Sequence, residues 1–245
     1  MPAARGRPNS RRPSGMPASD RTFWTRLYAE TPARELPWVN DGPYPPLARA
    51  VEDGWLTPPG PVLDVGCGVG TNTRWLASQG FRAIGIDIAP GAVAAAEANR
   101  AAGSDNPSFR VGDVLGGDLP PGRFRGAIDV GCFHTLRPRT RGAYSDGLAR
   151  VLSPGAPLLL FWIGREETGS WGPPHRLSVN EVTSSFERMF VVDRVEYRPR
   201  TARLTQDLKR TARPLATLAG YSARLVRRRV TQPPTRWHRS GRFAP

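Results

Sequence analysis

A chain of 245 residues has room for one well-buried α/β domain with appendages, and not for two domains of ordinary size with tails. No apolar run approaches the length of a membrane span and the first twenty residues hold no signal-peptide core, so the sequence predicts a soluble, cytoplasmic, monomeric protein. The formal charge of +14 points toward nucleic acid until it is divided: residues 1–21 carry five basic and one acidic residue, residues 22–194 seventeen and eighteen, and residues 195–245 thirteen and two. The middle of the chain is therefore close to neutral. Its cations are arginines apart from Lys209, a bias that a GC-rich coding sequence produces. Cys67 and Cys132 exclude a disulfide framework and are expected as reduced thiols.

Residues 1–21 are rich in Pro, Arg, Ser and Gly and are expected to form a disordered basic tail. Trp24, Leu27 and Tyr28 follow at helical spacing, as a short amphipathic helix capping the domain would require. Leu36, Pro37 and Trp38 open a loop running to Gly42, and a short helix is predicted over residues 46–53. Val62, Leu63 and Val65 then give a buried strand, and Gly66, Gly68 and Gly70 separate it from a helix over 71–79. Strands and helices alternate from there. A strand over 82–87 leads to a helix over 90–101 with Pro90 at its first position, and strands follow over 108–111 and 125–130. A helix over 141–152 ends at Ser153, Pro154 and Gly155, and Leu158 to Ile163 is apolar throughout, as a strand covered on both faces would be. Ser178 and Glu181 form a capping box, and Phe190 to Tyr197 reads as a last strand.

Alternation of this kind predicts a Rossmann-like, doubly wound, mostly parallel sheet of six to seven strands with ligands at the strands' carboxyl ends. The folded domain is placed at residues 22–198. Residues 199–245 are read as an Arg- and Pro-rich extension, with weak alternation from Arg200 to Gln206 and a weak helical spacing through Leu215, Leu218, Tyr221 and Leu225.

The glycine loop carries the first chemical signal. Glycine allows positive φ in the sharp turn and keeps β-carbons from holding a ligand off the backbone amides, beside the positive end of a helix dipole. Its spacing differs from the Gly-x-Gly-x-x-Gly that cradles a pyrophosphate, and Asp64 just before it would repel phosphate while suiting an ammonium group. A zwitterionic, phosphate-free ligand fits better, and S-adenosyl-L-methionine is one. Asp87, at the tip of the second strand, stands where a carboxylate takes both hydroxyls of a ribose.

These residues, with Asp113 after the third strand and the run Asp129 to His134 after the fourth, resemble the class I S-adenosylmethionine-dependent methyltransferases. Leu36, Pro37 and Trp38, and the run Gly131 to His134, are similar to the thiopurine and thiol methyltransferase branch that includes tellurite-resistance-type enzymes. The resemblance implies the strand order 3-2-1-4-5-7-6, a seventh strand that the sequence after Tyr197 does not declare. It implies that Asp64, Gly66, Cys67, Gly68 and Gly70 hold the methionine end, that Asp87 and Ile88 hold the ribose, and that Asp113 and Val114 meet the adenine. Asp129 and Trp38 belong to the same expected cofactor set, with Trp24 and Trp38 as candidates to close over it. His134 is the candidate base or substrate contact, and no metal-ligand spacing occurs.

Methyl transfer asks little of titratable groups, because the sulfonium is already a good leaving group and alignment in a dry site does most of the work. The expected function is methylation of a small molecule at S, N or O. Two alternatives are RNA methylation assisted by the basic tails, a partner not favoured by the neutral core, and a non-catalytic binding module.

Overall fold

The structure, a computed structural model, describes residues 21–120, 122–166, 175–197, 200–203, 215–218 and 220–229. The tail expected over residues 1–20 and the chain beyond residue 229 lie outside the described residues. Among the described residues no helix is long and apolar enough to cross a membrane.

Two helices precede the sheet, α1 (Arg21–Glu30) and α2 (Pro45–Glu52). The alternating segment then runs β1 (Pro61–Val65), α3 (Thr71–Ser78), β2 (Arg82–Asp87), α4 (Pro90–Ala98), β3 (Ser108–Val111) and β4 (Gly126–Val130). It continues through α5 (Arg141–Val151), β5 (Pro157–Ile163), α6 (Val179–Phe186) and β6 (Phe190–Tyr197). Residues β7 (Arg200–Arg203) and β8 (Leu215–Leu218) pair antiparallel as a separate ribbon, and β9 (Gly220–Arg227) closes the described chain. The sheet order is β3-β2-β1-β4-β5-β9-β6. With β9 as the seventh strand, this is the order 3-2-1-4-5-7-6, parallel as far as β5 and antiparallel at β9.

The period-two geometry of a strand explains how β5 can be apolar at every position: successive side chains point to opposite faces and both faces are covered. Leu158, Leu160 and Trp162 join the cluster under α5 and α6, with Tyr144, Leu148 and Phe186. Leu159, Phe161 and Ile163 join the opposite cluster under α2 and α3, with Leu47, Leu76 and Phe81. The capping box of α6 is present in full, with Glu181 N donating to Ser178 Oγ and Ser178 N donating to Glu181 Oε2.

The main departure lies after Tyr197. The helical spacing expected through Leu215, Leu218, Tyr221 and Leu225 is instead two strands, and β9 inserts between β5 and β6. Tyr221 and Leu225 also satisfy a period of two: with Ala223 they lie against the α5 and α6 cluster, while Ser222 and Arg224 face the other side. Two waiting strand edges decide between the periods, because β9 completes both ladders at once. The sheet thus takes a strand from beyond residue 198, where the sequence ended the domain. The arginines that follow are structural. Arg227 donates through Nε to Ala149 O (3.0 Å) in the last turn of α5 and through Nη1 to Met189 O (3.2 Å), and Arg228 Nε donates to Glu187 O (2.9 Å). A guanidinium at carbonyls that a helix end leaves unpaired satisfies them and complements the helix dipole.

Candidate functional site

A cavity of about 210 Å³ opens at the carboxyl ends of β1, β2, β4 and β5, walled on the outside by α1 and the loop that follows it. Its floor is the glycine loop. Gly66 and Gly68 have φ of +69° and +54°. A β-carbon on Gly66 would lie 2.6 Å from Cys132 Cβ, so the loop needs glycine there for a close approach between β1 and β4 as well as for the turn. Gly70, with φ +74°, is not in the cavity wall: a β-carbon there would meet the Phe109 ring at 2.5 Å, so its role is to let α3 and α4 pack behind the loop.

Asp87 closes β2 and is 9% exposed. Gly68 N donates to its Oδ2 and Ala89 N to its Oδ1, both at 2.9 Å. Burial pushes this carboxyl upward, and the backbone amides of Ala89, Gly68 and Ile88 pull it back. The carboxylate therefore does two things. It lines the cavity and it staples the glycine loop to the end of β2.

Asp113 and Val114 also line the cavity, beside Ile88, with Leu115 N donating to Asp113 Oδ1 at 2.8 Å. Trp24, Tyr28 and Trp38 form the outer wall as a group: Trp38 Nε1 donates to Tyr28 Oη at 3.0 Å, and the Trp38 ring meets Trp24 edge-on at 5.8 Å. Tyr28 is a site residue that sequence reasoning saw only as part of a helix face. Its hydroxyl stands 3.0 Å from where a β-carbon on Gly68 would sit, and burial pushes the phenol far above its usual range. Asn40, Asn72, Tyr44, Thr135, Leu136, Phe161 and Ile163 are among the rest of the missed lining, and no local motif distinguishes them from ordinary loop and core residues. Tyr44 N donates to Asn72 Oδ1 at 2.8 Å, which ties the outer loop to the first turn of α3.

Besides Gly70, two expected cofactor residues are elsewhere. Asp64 is 2% exposed and outside the cavity wall; it shares the Val62 face of β1, turned toward α3, and accepts a hydrogen bond from Thr73 Oγ1 at 2.6 Å. Asp129 is fully buried on the α5 side of β4. It accepts amide hydrogens from Gly131, Cys132 and Phe133 and the hydroxyl of Tyr144, and so builds the turn after β4 rather than touching the cavity. Strand alternation sends both carboxylates into the core, one on each face. Desolvation pushes each up to about 7, against the lowering effect of its hydrogen bonds.

His134 is in the wall, 8% exposed, on the turn that Asp129 organises. Cys67 and Cys132 are there too, as protonated thiols, because burial and the nearby carboxylates push both well up. Among the described residues no group of three His, Cys, Asp or Glu is placed to hold a metal ion.

S-adenosylmethionine fits this donor set. Two glycines of the loop expose backbone to a ligand, a carboxylate stands at the end of β2, and among the described residues no Lys or Arg lines the wall to attract a phosphate.

Comparison with known proteins agrees. Residues 62–155 match the methyltransferase domain family. The chain belongs to the class I S-adenosylmethionine-dependent methyltransferases, and it is an enzyme of that class. A 2-heptyl-1-hydroxyquinolin-4(1H)-one methyltransferase of Mycobacteroides abscessus is 30% identical over 166 residues, which cover 66% of this chain and 71% of that one. A probable thiol methyltransferase 2 of Arabidopsis thaliana is 30% identical over 170 residues, 66% of this chain and 73% of that one. A solved structure concerned with the conversion of a disulfide bond into a thioacetal group during echinomycin biosynthesis superposes with a TM-score of 0.72, covering 84% of this chain and 91% of that one at 22% identity, a likeness of fold.

Proposed function

We propose that the methyl acceptor is a small organic molecule with a thiol, a heterocyclic or a phenolic group. The observation that carries this is the wall itself: Trp24, Trp38, Tyr44, Phe161, Leu136 and Ile163 give the cavity an apolar, aromatic lining, and among its described residues the cavity has no arginine or lysine. A nucleic-acid site would place cations at such a mouth. Arg224, Arg227 and Arg228, which the sequence counted toward a basic tail, are engaged with Asp53 and with backbone carbonyls. The hydroxyquinolone and thiol methyltransferases among the relatives act on acceptors of this size and chemistry.

In this reading Asp87, with Ile88 beside it, holds the ribose hydroxyls, and the backbone of Gly66, Cys67 and Gly68 holds the methionine portion. Asp113 and Val114 meet the adenine. When bound, S-adenosylmethionine supplies a methyl carbon on a positively charged sulfur. Trp24, Tyr28 and Trp38 cover the site and exclude water, and the β4 and β5 ends hold the acceptor in line with that carbon. The test is transfer of labelled methyl to a panel of thiophenols, hydroxyquinolines and RNA. Turnover of small acceptors is expected; labelling of RNA alone overturns the proposal.

A further inference from the structure

A second hollow, of about 90 Å³, lies outside the cavity, where α2 meets β6 and β9. Arg49 of α2 and Asp53 just after that helix stand on one side, and Arg194, Glu196, Ser222 and Arg224 on the other. Strand register explains the second group: Ser222 pairs with Glu196 and Arg224 with Arg194, so all four side chains leave one face of the sheet.

Two carboxylates here face three guanidinium groups. Arg224 Nη2 donates to Asp53 Oδ2, and its guanidinium lies 5.0 Å from the centre of the Trp55 ring. Arg194 Nη1 lies 3.4 Å from Glu196 Oε1. The hydrogen bond from Arg224 holds the Asp53 carboxyl below its usual range and the charge of Arg194 adds to the effect, so both arginines act on the same carboxylate. Arg49, exposed at the rim, has no ion-pair partner among the described residues. A guanidinium carries five N–H donors, and most of those around the hollow remain unspent. Ser222 lines the hollow and is 4% exposed, and its hydroxyl has no hydrogen-bond partner among the described residues. A sheltered hydroxyl without a partner costs free energy that a ligand oxygen recovers.

One surplus positive charge, forked donors from three elements and a waiting hydroxyl suit an oxyanion, whose oxygens guanidinium groups meet in pairs. We propose that this hollow is a second binding site, for a small oxyanion of the phosphate or sulfate class. Arg49, Arg194 and Arg224 hold the ion with the Ser222 hydroxyl, and the occupant clamps α2 to β6 and β9. The clamp reaches the first cavity. Pro46 and Leu159 line the second hollow, while Tyr44 and Phe161, two residues from each, line the first with their rings 5.0 Å apart. Fixing α2 therefore also holds that aromatic part of the cavity wall.

The inference does not rest on the reading of the methyl acceptor. Its test follows thermal unfolding of the full chain while sodium sulfate, inorganic phosphate or phenyl phosphate replaces sodium chloride at constant ionic strength, with calorimetry for the affinity. A saturable rise in melting temperature over chloride is expected. Phenyl phosphate acting like inorganic phosphate assigns the site to a phosphoryl group carried on a larger molecule, and its failure beside active phosphate and sulfate assigns it to the free ion. Arg49→Ala should weaken oxyanion binding roughly tenfold, as loss of a charge-assisted contact does, and Ser222→Ala about threefold. The affinity of Arg49→Ala for S-adenosylhomocysteine in chloride should stay within twofold of the wild type. A rise no larger than in chloride, a rise that never saturates, or oxyanion affinity unchanged in both variants overturns the proposal, the last by showing that the ions sit on other arginines. An equal loss of cofactor affinity in Arg49→Ala also overturns it, because the residue then serves the fold.

Discussion

Replacing Asp87 by alanine separates the two duties of that carboxylate. On the fold, the change orphans the amides of Gly68 and Ala89, which donate to it at 2.9 Å each. A buried donor left without a partner costs about 1–3 kcal/mol, and relief from holding a desolvated carboxyl offsets part of the pair, so a net loss of about 2 kcal/mol in urea unfolding is expected. On the cofactor, the proposed assignment of Asp87 to the ribose removes two hydrogen bonds from its hydroxyls to a carboxylate, together worth about 2–4 kcal/mol, or roughly 30- to 1000-fold in Kd. Calorimetry with S-adenosylhomocysteine measures this. Repeating the titration with a 2′-deoxy analogue makes the assignment sharper, because a ligand without the hydroxyl has less to lose and the two changes should be strongly non-additive. If the folded variant binds S-adenosylhomocysteine within threefold of the wild type, or if the two changes add, Asp87 does not hold the ribose.

Three further outcomes are expected. Asp64 takes up a proton in the folded chain near pH 7 that the unfolded chain has released by about pH 4, so it contributes stability at low pH that is lost as pH rises through 7; Asp64→Asn should remove about 2 kcal/mol of the wild-type decline between pH 5 and pH 7, and identical pH profiles in urea unfolding would refute the shift. Gly68→Val should abolish cofactor binding, whereas Gly70→Ala, whose β-carbon meets Phe109 at 2.5 Å outside the cavity, should lower the melting temperature while the protein that remains folded keeps its cofactor affinity; equal binding losses in calorimetry would put the cofactor elsewhere. Deleting residues 1–20 and residues from 230 onward should leave cofactor binding and small-molecule methylation intact, while truncation before Gly220 should abolish cooperative unfolding, because it removes β9 and the buried Ala223 and Leu225; loss of turnover in the first, still folded protein would show that a tail serves the active site.

The sequence alone determined the elements from β1 to β6 and the kind of cofactor, and it pointed to the end of the sheet where a cavity lies. Those properties are local. An apolar run bounded by glycines, a proline at a helix start and a capping box each act within one or two turns of chain, and a carboxylate at the tip of β2 follows from counting along a strand. The direction of a side chain from a strand is also periodic, yet which face meets a ligand depends on where the sheet ends and what covers it. Asp64 and Asp129 show this: both stand near the ends of cavity-forming strands, and only the packing of α3 and α5 turned them into buried anchors. Tyr28 became a site residue only when α1 folded across the glycine loop, a contact between segments forty residues apart that no spacing encodes. For β9 the local pattern satisfied both helix and strand, and the decision fell to the unpaired edges of β5 and β6, where two hydrogen-bonded ladders and the burial of Leu225 outweigh the weak preference of the segment itself.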